Sequence, residues 1–203
     1  MNTVKQSAIK ANNPIALSTL PQTPDNLKLV KMCSLTIFIQ NILDNQHLCH
    51  TRPMVKRIIS GGQTGVDRAG LDVAMRLGMG TGGWCPANRL AEGGAIPDRY
   101  DTLTETRSSS FKQRAGLNVR DSDATLMLNS GSLEGGTELT VAYARGQKKP
   151  YLMIQLDATP SITDVADWLQ EVNPDVLNIA GPRESCRPGI YSLAYSFLLG
   201  LFQ

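Results

Sequence analysis

Histidine is almost missing from this chain. Of 203 residues only two are histidine, His47 and His50, and both stand before Met54. The 149 residues that follow contain none, which excludes Ser-His and Cys-His nucleophilic chemistry and a His-ligated metal from that part. Cysteine is scarce too: Cys33, Cys49, Cys85 and Cys186 are too few and too scattered for a disulfide scaffold, so a reducing cytoplasm is the expected setting. No apolar run approaches the length of a membrane span. The first residues lack the charged and apolar segments of a secretory signal, and the acid-poor first thirty lack the arginines of a transit peptide.

A strong charge of one sign is absent as well. The net charge is +2, and residues 1–54 hold five basic side chains (Lys5, Lys10, Lys28, Lys31, Arg52) against Asp25 and Asp44. That segment's surplus of three leaves the remainder at −1, so a nucleic-acid footprint is not expected on the main domain. With 41% hydrophobic and 19% charged residues, the composition is that of a globular protein.

Residues 1–53 show neither helical nor strand period and are rich in Asn, Gln, Ser, Thr and Pro. At Met54 the character changes: "MVKRIISGG" reads as a start methionine, two basic residues and a buried strand. The expectation is a domain at 54–203, preceded by a poorly ordered extension or an over-extended reading frame. "HLCH" in the extension invites a zinc reading with Cys33, but its spacing fits neither common finger pattern.

From Val55 onward, strand-like and helix-like pieces alternate. Strands are expected at Val55–Ser60, Met79–Gly82, Ala124–Asn129, "PYLMIQL" and Val176–Ala180. Helices are expected at Asp67–Leu77 (ended by Gly78), Ser110–Val119, Thr137–Arg145, Ile162–Val172 and from Ile190 to the end. The last carries Ile190, Leu193, Ala194, Phe197, Leu198 and Leu201 at the spacing of a buried stripe. A long irregular stretch, "GGWCPANRLAEGGAIPDRYDTLTET", interrupts the rhythm and is expected to be functional. The pattern predicts an α/β, Rossmann-like parallel sheet of about five strands with helices on both faces.

Glycine-rich loops follow the first, third and fifth expected strands and should converge on one crevice at the strand C-terminal ends. In "SGGQTGVD", Gly62 admits close backbone approach and Gly65 starts a helix, a cradle for phosphate in which Thr64 adds a hydroxyl. It lacks the Lys-Ser/Thr pair of a nucleoside triphosphatase. No acid ends the second expected strand, which disfavours a dehydrogenase. In "SGSLEGGTELT", Gly135 and Gly136 open another helix with Thr137 as cap, and Glu138 sits in its first turn. Arg183 in "GPRES" is placed to neutralise a phosphate, with an Arg183–Glu184 ion pair as the competing reading. In "NVRDSDATL", Arg120, Asp121 and Asp123 stand just before a buried strand, and the structural role of capping or orienting Arg120 is expected of Asp123, since residues entering such a strand usually serve turns. Trp84 and Arg89 are candidates to stack on a ring, and Cys85 reads as a packed thiol. The expected ligand contacts are Gly61, Gly62, Gln63, Thr64, Gly65, Asp67, Trp84, Arg89, Arg120, Ser130, Gly135, Gly136, Thr137, Glu138 and Arg183.

Together "RIISGGQTGVDRAGLD", "GGWCP..R.AE.G.IP..Y", "NVRDSDATL", "GGTELT.A" and "VLNIAGPRES..PGIY" resemble the putative molybdenum carrier family, a YpsA-related branch of the Rossmann-like SLOG superfamily. The resemblance runs from Met54 to Gln203. It implies a ligand such as the molybdenum cofactor, whose pterin bears a phosphate, or a nucleotide. Related phosphoribohydrolases use "PGGxGTxxE"; here "LEGGTEL" has Glu134 for the proline, lacks the residue between GG and GT, and puts the acid directly after Thr137. The leading expectation is a protein that binds a small anionic ligand, with no metal held by side chains. The alternatives are an N-glycosidic hydrolase using Glu138 and Asp121, or an oligomeric scaffold with an interface at Tyr191 and Tyr195. A homo-oligomer is expected, without nucleic acid or membrane as partner.

Overall fold

The computed structural model describes residues 55–133 and 135–203. The extension with its Cys33, His47, Cys49 and His50, the start at Met54, and Glu134 lie outside the described residues. The chain order is β1 (Arg57–Ile59), α1 (Val66–Arg76), β2 (Gly80–Cys85), β3 (Leu90–Ala91), β4 (Gly94–Ala95), β5 (Leu103–Glu105), α2 (Phe111–Arg120) and β6 (Ala124–Asn129). It continues with α3 (Gly135–Gly146), β7 (Tyr151–Gln155), α4 (Ile162–Val172), β8 (Val176–Ala180) and α5 (Ile190–Phe202). Six strands form one parallel sheet in the order β5-β2-β1-β8-β6-β7, while β3 and β4 pair as a small antiparallel hairpin.

All six residues of β6 are buried, as a continuous apolar run in a sheet covered on both faces should be. Alternate side chains go to opposite sides. Ala124, Leu126 and Leu128 join the main core with Val73 of α1, Leu169 of α4 and Leu198 of α5, whereas Met127 packs with Val141 of α3. A smaller core of Leu71, Cys85, Ile96, Tyr100 and Leu103 lies under the long loop after β2. Cys85 is fully buried there, and that burial pushes its thiol pKa up.

Serine side chains start two helices. Ser110 Oγ accepts the Gln113 N–H at 3.4 Å and Ser161 Oγ accepts the Asp164 N–H at 3.1 Å, caps worth about 1 kcal/mol each. On the other side of the long loop, Asp72 gathers three partners: Tyr191 Oη donates at 2.7 Å, Tyr100 Oη at 3.0 Å and Arg99 Nη2 at 3.1 Å. Tyr195 Oη accepts from Arg76 at 3.1 Å. The two tyrosines considered for an interface are therefore tied to α1.

Several expected boundaries shift. β2 runs on to Cys85, into the stretch expected to be irregular, and β5 adds a sixth strand at the sheet edge. Helix α3 begins at Gly135, so Thr137 is its buried third residue and not its cap. Leu193 of α5 is 49% exposed and lies off the buried stripe. Among the described residues, no helix is long and apolar enough to cross a membrane.

Candidate functional site

Strand order decides where the loops meet. The loops expected to hold a ligand follow β1, β6 and β8, and the sheet places β8 between the other two. Two strand spacings separate the outer loops, about 10 Å. A cavity of about 400 Å³ opens above these three strand ends, a size suited to a small organic ligand. Arg114, Arg183 and Arg187 line it, together with Asn129 and the glycine pair Gly135 and Gly136 that begins α3. Among the described residues, no carboxylate side chain lines it.

Arg114 comes from α2 and crosses the β1 loop. Its Nη1 lies 2.9 Å from Asp67 Oδ2, with the two side chains only 15% and 2% exposed. Gly61 makes the crossing possible, because a β-carbon there would fall inside the guanidinium. Burial pushes the Asp67 carboxyl up, while Arg114, the Gln63 N–H and Ser60 pull it down. Arg114 Nε is buried without a hydrogen-bond partner, and so is Asn129 Oδ1. Buried polar atoms in that state are costly and rare, and both belong to residues of the cavity wall.

The β1 loop is already partly committed to itself. Gln63 N–H donates to Asp67, Thr64 N–H to Gln63 Oε1 at 3.0 Å, and Val66 N–H to the Pro182 carbonyl at 3.2 Å. Pro182 belongs to the β8 loop, so the first and third loops are stitched together by the amide that starts α1. Gly65, with φ of +77°, brings the chains that close. On the far side, Arg187 holds the β6 loop: Nε donates to the Ser130 carbonyl at 2.7 Å and Nη2 to the Ser132 carbonyl at 3.1 Å. Glu184 caps α5, accepting the Gly189 and Tyr191 amides at 2.5 and 3.0 Å. Arg183 pairs with Glu92 at 3.4 Å, and not with its neighbour Glu184.

Of the residues expected from sequence, Gln63, Gly135, Gly136, Thr137 and Arg183 line the cavity. Gly61 and Asp67 lie behind Arg114, Thr64 bonds to Glu92, and Ser130 is held by Arg187. The rest point elsewhere. Trp84 Nε1 donates to Asp121 at 2.7 Å, and Arg120 grips the same carboxylate at 2.6 and 2.9 Å, lowering its pKa. That cluster sits about 10 Å further along α2 than Arg114. Arg89 braces the long loop through the carbonyls of Ile96, Pro97 and Tyr100. Glu138 is exposed and outside the cavity wall. Asp123 has a structural role of another kind than the turn contact expected: its Oδ2 accepts the Val176 N–H at 2.8 Å, tying the entry of β6 to the start of β8, while Asp121 is the carboxylate that holds Arg120. Sequence reasoning missed Arg114, Asn129 and Arg187. In "FKQRAGLNVR", Arg114 looks like any basic residue on a helix surface, and only the fold shows what it crosses.

Residues 58–202 match the model of the circularly permutated YpsA SLOG family. A crystal structure of a putative molybdenum carrier protein from Syntrophus aciditrophicus SB, at 1.45 Å resolution, is 45% identical. The alignment covers 74% of this chain and 96% of that one, with a TM-score of 0.70. No curated protein matches. The sheet order is consistent with the permutation: if β8 stood first, four successive strands of the sheet would lie side by side from centre to edge. With the match spanning nearly all of the described residues, the chain belongs to the circularly permutated YpsA family of SLOG proteins.

Proposed function

We propose that the crevice binds a small ligand through an oxyanion, as the phosphate of a nucleotide or pterin, and that the protein holds this ligand without transforming it. The observation that carries this is the set of three arginines, drawn from α2 and the β8 loop, around one cavity edged by the glycine start of α3. Guanidinium groups and a helix N-terminus both favour an anion. The molybdenum carrier name of the 45% identical relative suits this donor set, because molybdate and phosphate are both tetrahedral oxyanions. Among the described residues no group of three or more His, Cys, Asp or Glu side chains could hold a metal ion. A molybdenum species entering this crevice would meet its arginines as an oxyanion or through a pterin phosphate.

The hydrolase alternative rests on Glu138, with Asp121 as a second candidate, and neither side chain lines the cavity. Thermal-shift and calorimetric titrations with phosphate, molybdate, AMP, ADP-ribose and molybdopterin test the binding reading. At least one should raise Tm, since a ligand at about 100 times its Kd adds about 2.7 kcal/mol. No response to any of them overturns the proposal. Glu138→Gln should leave the affinity within about twofold, a difference well below 1 kcal/mol, and neither it nor the parent should release free base from AMP. A larger loss of binding would bring Glu138 back into the site.

A further inference from the structure

The hairpin of β3 and β4 turns at Glu92, whose carboxylate reaches across to the first and third glycine loops. Its Oε1 accepts from the Thr64 hydroxyl and, at 3.1 Å, from the Ser185 N–H; its Oε2 accepts from the Ser185 hydroxyl. Arg183 Nε stands 3.4 Å from the same oxygen. Gln63 Oε1 fixes the tip by accepting the Glu92 N–H at 2.9 Å. Two hydroxyls and one amide donate to this pair of oxygens, and Arg183, whose Nε–H donates to Cys186 Sγ at 3.1 Å, adds its positive charge beside them; such a set of donors and charge suits a tetrahedral oxyanion. Gln63 and Arg183 also line the cavity, so this nest lies on its rim.

A neutral side chain would brace the hairpin as well. The residue in place is instead a carboxylate, 20% exposed. Burial raises its pKa, but the bonds from Ser185 and Thr64 with the charge of Arg183 outweigh that and lower it. It is charged at neutral pH, beside a cavity lined by cationic side chains. Gly93 and Gly94 follow Glu92, both with positive φ and with no atom within 4 Å of where a β-carbon would stand, so no side chain packs against that side of the tip.

We infer that Thr64, Ser185 and Arg183 form an oxyanion site which the β3–β4 hairpin fills with its own Glu92 carboxylate and vacates when a ligand oxyanion enters. The inference rests on the reading that the crevice binds oxyanions, and it gives the hairpin the role of an internal competitor. Apparent affinity falls by the fraction of protein in the open state, so removing the competitor raises it.

The test is calorimetric affinity for inorganic phosphate and for molybdate, each measured near neutral pH with the parent, Glu92→Gln and Glu92→Asp. Glu92→Gln should bind at least about tenfold tighter, as expected when the open state is about a tenth of the parent population. Glu92→Asp, with a shorter reach and the charge kept, should show a smaller gain and serves if the amide variant folds poorly. Adding Thr64→Val to Glu92→Gln should erase the gain. A gain with both anions marks a site for tetrahedral oxyanions in general, and a gain with one alone identifies which. If the parent binds and neither Glu92 variant binds tighter, Glu92 is only a brace and the inference is overturned while the crevice reading stands. If neither phosphate nor molybdate binds any of the proteins, this inference is overturned, and the crevice reading falls with it only where AMP, ADP-ribose and molybdopterin fail as well.

Discussion

Arg114→Ala should cost about 3–5 kcal/mol in urea unfolding, the usual penalty for breaking a buried pair by removing one partner. The reason is what it leaves behind. Asp67 is 2% exposed and keeps its carboxylate beneath the β1 loop, with only the Gln63 N–H and Ser60 to offset the lost guanidinium. Burial already raises its pKa above the ordinary 3.8, and without Arg114 it rises further. The sign follows from proton counting: with a raised folded-state pKa, the native state binds more protons than the unfolded state above pH 3.8. The penalty is therefore largest at neutral pH and shrinks as the pH falls and Asp67 becomes neutral in the native state. A loss independent of pH would assign the effect to packing alone.

The double variant Asp67→Leu/Arg114→Met separates stability from function. Replacing both partners with apolar groups of similar volume is often neutral, so most of the loss should return. Anion binding should not return, since the guanidinium on the cavity wall is gone. Recovery of both properties would place the ligand somewhere other than against Arg114.

The contrast between Arg114 and its neighbours shows what one sequence carries. β6, α4 and β8 occur at the residues that the apolar pattern gives them, because each is buried by its own side chains and punctuated by Asp, Ser or Asn. β2 outruns its apolar pattern because "GTGGWC" has little to bury; its ladder partners β1 and β5 supply the order that its side chains do not. Helix α3 also starts ahead of its pattern. Glycine is a poor helix former, but Gly135 has a φ of +58°, which glycine adopts without strain, and the helix starts there. Leu193 fits the helical period and is still exposed, because the period gives a face and not the width of its neighbour. At the site, glycine loops are visible as turns. Which strands lie side by side is not, and neither is the reach of Arg114, Arg187 or Glu92 across loops distant in the chain.

Gly65→Ala and Gly78→Ala form a matched pair that tests how the first and third loops are joined. Both residues have positive φ, +77° and +69°. A β-carbon in the left-handed helical region costs about 1–2 kcal/mol by itself, and Gly65, whose ψ of −129° lies outside that region, where glycine alone is at ease, bears a strain no smaller. Gly78 follows α1 with nothing within 4 Å of where a β-carbon would stand, so strain should be the whole of its cost. At Gly65 the added β-carbon would lie 2.5 Å from the Pro182 carbonyl oxygen and 2.9 Å from the Glu184 amide nitrogen. These are backbone atoms and cannot rotate aside, so overpacking adds about 1–3 kcal/mol. Gly65→Ala should thus lose about 2–5 kcal/mol, and Gly78→Ala no more than the strain. The difference should also appear in binding. Pushing Pro182 away breaks its bond from the Val66 N–H and shifts Arg183, which lies next in the chain and on the cavity wall. Oxyanion affinity should fall for Gly65→Ala and hold for Gly78→Ala in the same calorimetric titration. Equal stability losses in the two variants would show that the β8 loop yields freely, and the contact between the loops would then not be what sets the width of the crevice.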